Sequence, residues 1–365
     1  MKNILLSSAA IVAFAGAAAA EVSFSGTATL GYNDEYADGV YSDVDLDITM
    51  SQELDNGWTA SLTYGVELEN FEAGTDTDFT TDDNLTVSLS NGTYALTFGD
   101  TEYAAKEYWS GVSEMDEDRF SEVDGEDVLK VSGMFGGIEA GISTGVDTDT
   151  GDTYQTSVGV KGEIGAVSFS AAYQEETDGT VLGTSADAVA NGDYSDYEVL
   201  ALSVGTSFAG ADVTVAYAQS TLLGAKEDST GIEVSYPVGD VTLGAFYVSE
   251  SALDDNYGMS VAYAANSIEG KVYYKSLNGS DEFGLGASYD LNNGLVLSAG
   301  YIDGDSTTDD DFATYVTAEY DLGGGASLFA SYADQTNVGG GDDIDTVVGG
   351  YELKDGATVA LSFKF

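Results

Sequence analysis

The sequence predicts an all-β fold, a transmembrane antiparallel up-and-down β-barrel of 16 to 20 strands. Apolar and polar residues alternate with a period of two over most of the chain, and short turns alternate with longer acidic segments. After residue 20, no apolar stretch reaches the ~18 residues that a membrane-spanning helix needs. Strands of ~10 residues closed into a barrel are the other way to cross a bilayer, because closure pairs every backbone amide. A secreted β-sandwich would also alternate, but it would carry several prolines, and this chain has one.

Residues 1–20 have the pattern of a cleaved secretory signal peptide. Lys2 precedes an apolar run from Ile4 to Phe14, and the segment ends in the small residues Ala18-Ala19-Ala20. The apolar run is too short for a membrane anchor. We therefore expect export, with residues 21–365 forming the barrel domain.

Both ends of the exported chain read as amphipathic strands, VSFSGTATLGY from Val22 to Tyr32 and ATVALSFKF ending at Phe365. Between them, nine short turns predict strand pairs and, with the two end strands, a maximum of 20 strands. The turns lie at Asp55-Asn56-Gly57, Asn91-Gly92, Gly136-Gly137, Gly162 to Gly165, Ala209-Gly210, Val238-Gly239-Asp240, Ala265-Asn266, Asn292-Asn293-Gly294 and Gly323 to Gly325. The segments on their other sides are longer and acidic, for example DTDTGDT. This asymmetry is typical of outer-membrane barrels, with tight periplasmic turns and long outer loops.

Strand parity predicts which side chains face the lumen. In VYSDVDLDITM, three aspartates share the face opposite Val44, Leu46 and Ile48, and lipid would penalise each of them by a few kcal/mol. The aspartate face is therefore expected to be the lumen. The predicted lumen-wall residues are Asp43, Asp45, Asp47, Lys130, Glu269, Lys271 and Lys275.

The composition excludes several functions. The 365 residues include 64 acids, 10 bases, no cysteine and no histidine. Serine–histidine triads, histidine metal sites and thiolate metal sites are therefore excluded, and we expect no enzyme activity and no required cofactor. A net charge of −54 repels nucleic acid, so no nucleic-acid partner is expected.

Four stretches resemble a known family: EVSFSGTATLGY from Glu21, GASYDL from Gly286, DLGGGASLFASYAD from Asp321, and ALSFKF ending at Phe365. In these stretches, the chain is similar to the general-diffusion porins of Gram-negative bacteria, especially the Rhodobacter-type porins. Porins of this type usually have 16 strands. The resemblance implies a homotrimer in outer-membrane lipid and lipopolysaccharide. It also implies that the barrel-assembly machinery reads Phe365, and that Glu21 lies close to the Phe365 carboxylate where the barrel closes.

The resemblance further implies that loop 3, after the fifth strand, folds into the lumen. Here the fifth strand is read as Thr93 to Gly99, and the long segment 100–127 follows it. Candidates to line the narrowest passage are Glu107, Glu114, Asp116, Glu117, Asp118, Glu122 and Asp124. Arg119, the sole arginine, is expected to hold the loop by bidentate pairing with carboxylates, the alternative being a solvated surface residue. Porins of this family commonly set an arginine-rich cluster opposite the loop, and this chain has no arginine for one.

Two functions remain as hypotheses. The first is a passive, cation-preferring outer-membrane channel for small ions and hydrophilic solutes, because carboxylates in a narrow passage attract cations. The second is a surface-exposed acidic structural or adhesive protein that binds divalent cations through its outer loops. For the latter, Asp147, Asp149 and Asp152 offer oxygen ligands for calcium, although they do not match an EF-hand.

Overall fold

The computed structural model describes residues 20–35, 39–70, 79–80, 85–123, 127–148, 150–177, 194–304, 312–336 and 344–365, with residues 68–70 and 79–80 described for the backbone only. The predicted signal peptide therefore lies almost wholly outside the described residues. In the first half of the chain, the strands are β1 (Glu21–Asn33), β2 (Val40–Glu53), β3 (Thr59–Asn70), β4 (Phe79–Thr80), β5 (Thr86–Ser90), β6 (Tyr94–Gly99), β7 (Val128–Phe135), β8 (Ile138–Val146), β9 (Thr153–Ile164) and β10 (Val167–Gln174). The described helix is α1 (Ala104–Tyr108).

The second half of the chain continues the same sheet. Its strands are β11 (Glu198–Phe208), β12 (Ala211–Leu222), β13 (Ala225–Val238), β14 (Val241–Glu250), β15 (Asn256–Ala265), β16 (Ile268–Leu277), β17 (Ser280–Asp290), β18 (Leu295–Gly304), β19 (Phe312–Gly323), β20 (Ala326–Thr336), β21 (Ile344–Asp345), β22 (Glu352–Leu353) and β23 (Gly356–Lys364). Among the described residues, no helix is long and apolar enough to cross a membrane.

Twenty of these strands form one closed antiparallel ring within the described chain. Each strand pairs with its neighbours in chain order, and the short β4 pairs only with β3. The last strand, β23, pairs with both β20 and β1, which closes the sheet. The strand count therefore confirms the upper end of the predicted range. It exceeds the 16 strands that are usual in the porins that the sequence resembles.

The nine predicted turns are all confirmed as connections between consecutive ring strands. Asn292 and several turn glycines have positive φ angles, for example Gly294 at 88°, a backbone region that glycine enters at little cost. The prediction of longer, acidic segments at the other end is wrong in two places. Leu223-Gly224 and Asn278-Gly279 are two-residue connections, because both pairs adopt the positive-φ conformations that tight hairpins need.

The two faces of the ring differ in composition, as strand parity predicted. Large apolar side chains such as Phe24, Leu202 and Val316 are exposed on the outer face. Exposed outward tyrosines lie near both ends of the strands, for example Tyr289 and Tyr320 at the turn end and Tyr247 and Tyr301 at the loop end. Two aromatic belts around an apolar band are the pattern of a barrel that spans a bilayer.

Two segments fold into the ring, and they lie against different parts of its wall. Residues 100–123, named here the inner loop, bury apolar side chains against alanines and valines of β10, β11, β12 and β14. Residues 344–353, named the inner hairpin, bury Ile344 and Leu353 against inward side chains of β18, β19 and β20. The small inward side chains of β10, β11 and β12 leave space for the inner loop.

Candidate functional site

The first part of the inner loop, with α1, lies against β8 and β9. The backbone N–H groups of Ala104 and Ala105 donate hydrogen bonds to Ser143 Oγ at 2.8 Å and Ser157 Oγ at 3.1 Å. A Cβ added at Gly159 would lie 2.2 Å from the Ala104 carbonyl oxygen. The helix therefore sits directly on the inner wall, in a space that only glycine leaves open.

The tip of the inner loop continues across the wall to β13. Ser110 N donates to Ser170 Oγ at 3.1 Å. The backbone N and side-chain Oγ of Ser113 both donate to Glu233 Oε2 at 2.9 Å. These wall residues were not predicted, although the alternation of each strand marks them as inward-facing polar positions.

Arg119 lies on the return path of the inner loop and contacts both the loop and the wall. Its Nη2 donates to Glu117 Oε1 at 2.8 Å, and its Nε donates to the Asp116 carbonyl oxygen at 3.1 Å. Its guanidinium carbon lies 4.7 Å from the ring centroid of Tyr197. The expected bidentate carboxylate pair is not the geometry found, because one branch of the guanidinium binds a backbone carbonyl.

Glu117 corrects one expectation about the passage. The whole residue is only 1% exposed, so its side chain does not line the lumen. Its Oε2 accepts a hydrogen bond from the Ser220 hydroxyl, and its backbone N donates to Ser229 Oγ at 3.0 Å. Glu117 is buried because the inner loop places it between Arg119 and the serines of β12 and β13.

Several other predicted constriction acids also contact the wall or the loop. Asp116 Oδ2 accepts from Asn256 Nδ2 at 3.3 Å, and Glu114 Oε1 lies 3.6 Å from Lys275 Nζ. Glu122 forms an ion pair with Lys106 within the loop and is half exposed. Asp124 lies outside the described residues.

Asp118 and Glu102 are the inner-loop acids whose protonation the fold perturbs. Burial raises the pKa of the Asp118 carboxyl, and the hydrogen bond that Trp109 Nε1 donates to it at 2.8 Å opposes that shift. Burial likewise raises the pKa of Glu102, opposed by the backbone N–H of Tyr103. Both acids therefore take up a proton at a higher pH than exposed acids of the same type.

Two of the inward lysines, Lys130 and Lys275, form ion pairs with acids of the loop or the wall. Lys130 is 6% exposed beneath the inner loop, where its Nζ lies 2.6 Å from Glu107 Oε2 and donates to the Glu102 carbonyl oxygen at 2.9 Å. Lys275 Nζ also lies 3.5 Å from Glu282 Oε1. Lys271 Nζ lies 5.4 Å from the Tyr273 ring centroid. Glu269 pairs with Ser288, whose side chain faces inward, so Glu269 lies on the inward face that strand parity predicts. Its side chain is exposed there.

The three predicted aspartates of β2, Asp43, Asp45 and Asp47, lie on the face of the strand that points into the ring. Asp45 pairs with Thr27, whose Oγ1 donates to Asp45 Oδ2 at 2.8 Å. Carboxylate oxygens of Asp43, Asp45 and Glu67 lie within 4.8 Å of one another. Asp47 pairs with Ser25 on the same face. Because the ring has twenty strands, β2 stands ten strands from β13 and therefore opposite the inner loop.

The closure site differs from the expectation. Phe365 exchanges two backbone hydrogen bonds of 3.0 Å with Gly26, whereas Glu21 pairs with Ser51 of β2. Gly26 lies five positions after Glu21, which is about 16 Å along a strand. Glu21 is therefore not close to the Phe365 carboxylate, because the tilted strands of a barrel close with an offset register.

The predicted calcium ligands are only partly described. Asp147 Oδ1 accepts a hydrogen bond from Thr150 N at 3.1 Å, and Asp147 N donates to the Asp152 carbonyl oxygen at 2.9 Å. These bonds stabilise the turn between β8 and β9. Asp149 lies outside the described residues, so calcium binding there stays a prediction.

Comparison with known proteins agrees with this architecture. The sequence profile of a family described as Gram-negative porin matches residues 7–279 and 256–365. A variant of Rh. blastica porin is similar in fold, with a TM-score of 0.50 at 15% sequence identity over 74% of this chain and 100% of that chain. A triple mutant of Rhodopseudomonas blastica porin covers the same shares at 14% identity and a TM-score of 0.48. No curated protein matches the chain. Because the profile covers most of the sequence, the chain belongs to the Gram-negative porin family.

Proposed function

We propose that this outer-membrane diffusion channel prefers cations and passes small hydrophilic solutes between the inner loop and the β2 wall. The observation that carries the proposal is the placement of acids on both sides of that passage. The inner loop has eight acids and two bases, and the chain has no lysine or arginine between Glu21 and Ala105. That base-free part of the chain includes β1, β2, β3, β5 and β6.

The positions of the bases support the same direction of selectivity. Lys130, Lys275 and Arg119 each lie in an ion pair with an acid, so their charges are largely balanced locally. The Asp43, Asp45 and Glu67 carboxylates lie close together on the opposite wall and raise the local cation concentration. Low-dielectric protein around a water-filled passage weakens screening, which strengthens this preference.

The test is reconstitution into planar lipid bilayers with a tenfold KCl gradient. We expect a reversal potential of cationic sign, toward the limit of ~59 mV for a perfectly selective monovalent pore. A value near zero or of anionic sign would contradict the cation preference. The absence of stepwise conductance would contradict the channel itself.

Trimeric assembly is a separate part of the proposal. The outer face carries many exposed apolar side chains, including Phe135 and Phe208, which a membrane or a neighbouring subunit would cover. We expect a trimer band on a denaturing gel that converts to monomer on heating. A molar mass of one chain, measured by light scattering in mild detergent, would contradict trimeric assembly.

A further inference from the structure

The inner hairpin is a second segment inside the ring, on a part of the wall that the inner loop does not reach. Its two short strands pair Ile344 with Leu353 and Asp345 with Glu352. Ile344 and Leu353 are each 1% exposed and pack against Ile302 and Ala313. On β18, Tyr301 is exposed on the outer face, so its neighbour Ile302 faces inward. The hairpin is therefore inside the barrel and not above its rim.

Polar contacts fix the hairpin below the rim. Val347 N donates to Tyr315 Oη at 2.7 Å. Tyr351 Oη donates to Glu319 Oε2 at 2.8 Å, and its ring centroid lies 5.1 Å from that of Phe329. Glu319 is seven residues from Phe312 at the loop end of β19, which is about 24 Å along the strand. The contacts of Tyr351 therefore reach the half of the barrel nearer the turns.

The hairpin and the tip of the inner loop border the same space. A cavity of about 400 Å³ is lined by Ser113 and Glu114 from the inner loop and by Asp345, Thr346 and Val347 from the hairpin. Inward side chains of β16 and β13, including Lys271, Lys275 and Glu233, form its floor. The two segments thus meet at one level of the lumen.

We propose that the inner hairpin is a second constriction element, which sets the upper size limit of hydrophilic solutes together with the inner loop. The inner loop contacts the wall from β7 to β16, and the hairpin contacts β17 to β20. Among the described residues, these contacts leave the wall from β23 through β3 beside the open passage. This inference rests on the proposed channel function, because a size limit has meaning only for a pore.

The placement of the hairpin can be tested by cross-linking, since the chain has no cysteine. A Cβ added at Gly286 would lie 2.7 Å from Val347 Cβ, about 1 Å closer than a disulfide requires. After a small shift, Gly286→Cys with Val347→Cys should form a disulfide in the folded protein. The matched control is Leu285→Cys with Val347→Cys, because Leu285 is exposed on the outer face. Equal cross-linking of both pairs, or of neither, would overturn the placement.

The effect on permeation is tested by deleting residues 344–353. A two-stranded hairpin occupies roughly 10 Å by 10 Å in cross-section, so we expect single-channel conductance to rise roughly 1.5-fold. Liposome swelling with neutral sugars of increasing size should show a higher size limit. Heat-modifiable migration on a gel checks that the variant folds. If it does not fold, Tyr351→Ala, which removes the contacts with Glu319 and Phe329, should give a smaller increase and more open-channel noise.

The outcomes separate this inference from the proposed function. A wild-type protein without conductance contradicts the channel, whatever the cross-linking result. A conducting wild type whose deletion and Tyr351→Ala variants keep the same conductance and sugar limit overturns the second constriction alone. A wider size limit with unchanged cation preference supports the hairpin as a size element.

Discussion

Replacing Arg119 with alanine tests how the inner loop is held in the lumen. Arg119 donates to Glu117 Oε1 at 2.8 Å and to the Asp116 carbonyl oxygen at 3.1 Å, and it stacks on Tyr197. The Arg119 side chain is 31% exposed, whereas that of Glu117 is 2% exposed. Water therefore screens the pair from the arginine side only.

The magnitude follows from what Arg119→Ala leaves behind. Glu117 stays buried, and its Oε2 keeps the hydrogen bond from Ser220. Removing one partner of a buried ion pair costs about 3–5 kcal/mol, and loss of the cation–π contact costs about 0.5–2 kcal/mol. Because Arg119 is partly hydrated, we expect the loop to lose about 3 kcal/mol of local stability, which raises its open population roughly 100-fold.

Two measurements report this loss. Hydrogen–deuterium exchange in detergent should show faster exchange in the peptide that contains Glu117 and Ser121, whose backbone N–H groups donate to wall side chains. Single-channel recordings should show more open-channel noise and a less cationic reversal potential. Lys226→Ala is the matched control, because it removes one exposed cation at the loop end of β13.

A double variant decides whether the buried carboxylate is the cause. Arg119→Ala with Glu117→Ala removes both charges, so it should recover part of the exchange protection that Arg119→Ala loses. The reasoning is refuted if Arg119→Ala leaves exchange and noise at wild-type values. It is also refuted if Lys226→Ala has the same effect, because the response would then reflect net charge alone.

Three further predictions concern the wall, protonation and closure. Changing Asp43, Asp45 and Asp47 together to Asn should move the reversal potential in a KCl gradient toward zero, and an unchanged value would exclude this wall from selectivity. Because burial raises the pKa of Asp118, its charge is lost at a higher pH than that of an exposed aspartate; the cation preference should therefore begin to decline at a higher pH in the wild type than in Asp118→Asn, and superimposable pH profiles would contradict this. Deleting Phe365 removes its two backbone hydrogen bonds with Gly26, so the heat-modifiable fraction after refolding in detergent should fall, and full refolding would assign Phe365 to assembly in the cell alone.

The parts of the fold that depend on local chemistry were predicted correctly from the sequence. The nine turns follow from glycine and asparagine between alternating segments, because few other residues adopt positive φ angles cheaply. The inward orientation of Asp45 and Lys271 follows from parity, because successive side chains of a strand point to opposite faces. These signals need no knowledge of distant parts of the chain.

The remaining features depend on contacts between distant parts of the chain. The pairing of Phe365 with Gly26 is set by strand tilt around the whole ring, so the sequence of either end does not define it. The burial of Glu117 depends on the path of a loop without periodicity across β12 and β13. The inner hairpin gave no alternation signal, since each of its strands has two residues. For the serines that accept hydrogen bonds from the inner loop, such as Ser143 and Ser157, the sequence predicts only that they are polar and face inward.

The number of strands connects these features to selectivity. Twenty strands spaced ~4.8 Å apart and tilted by ~40° enclose a cylinder with a radius of about 20 Å, too wide for one loop to narrow from all sides. The inner loop covers the wall that carries Lys130, Lys161 and Lys275, and the inner hairpin covers the next part of the wall, from β17 to β20. The passage is thereby displaced toward the β2 wall, where Asp43, Asp45 and Asp47 lie. We therefore expect a single charge change at Asp45 to alter selectivity more than the same change at Lys161, and the reverse order would show that ions pass on the covered side.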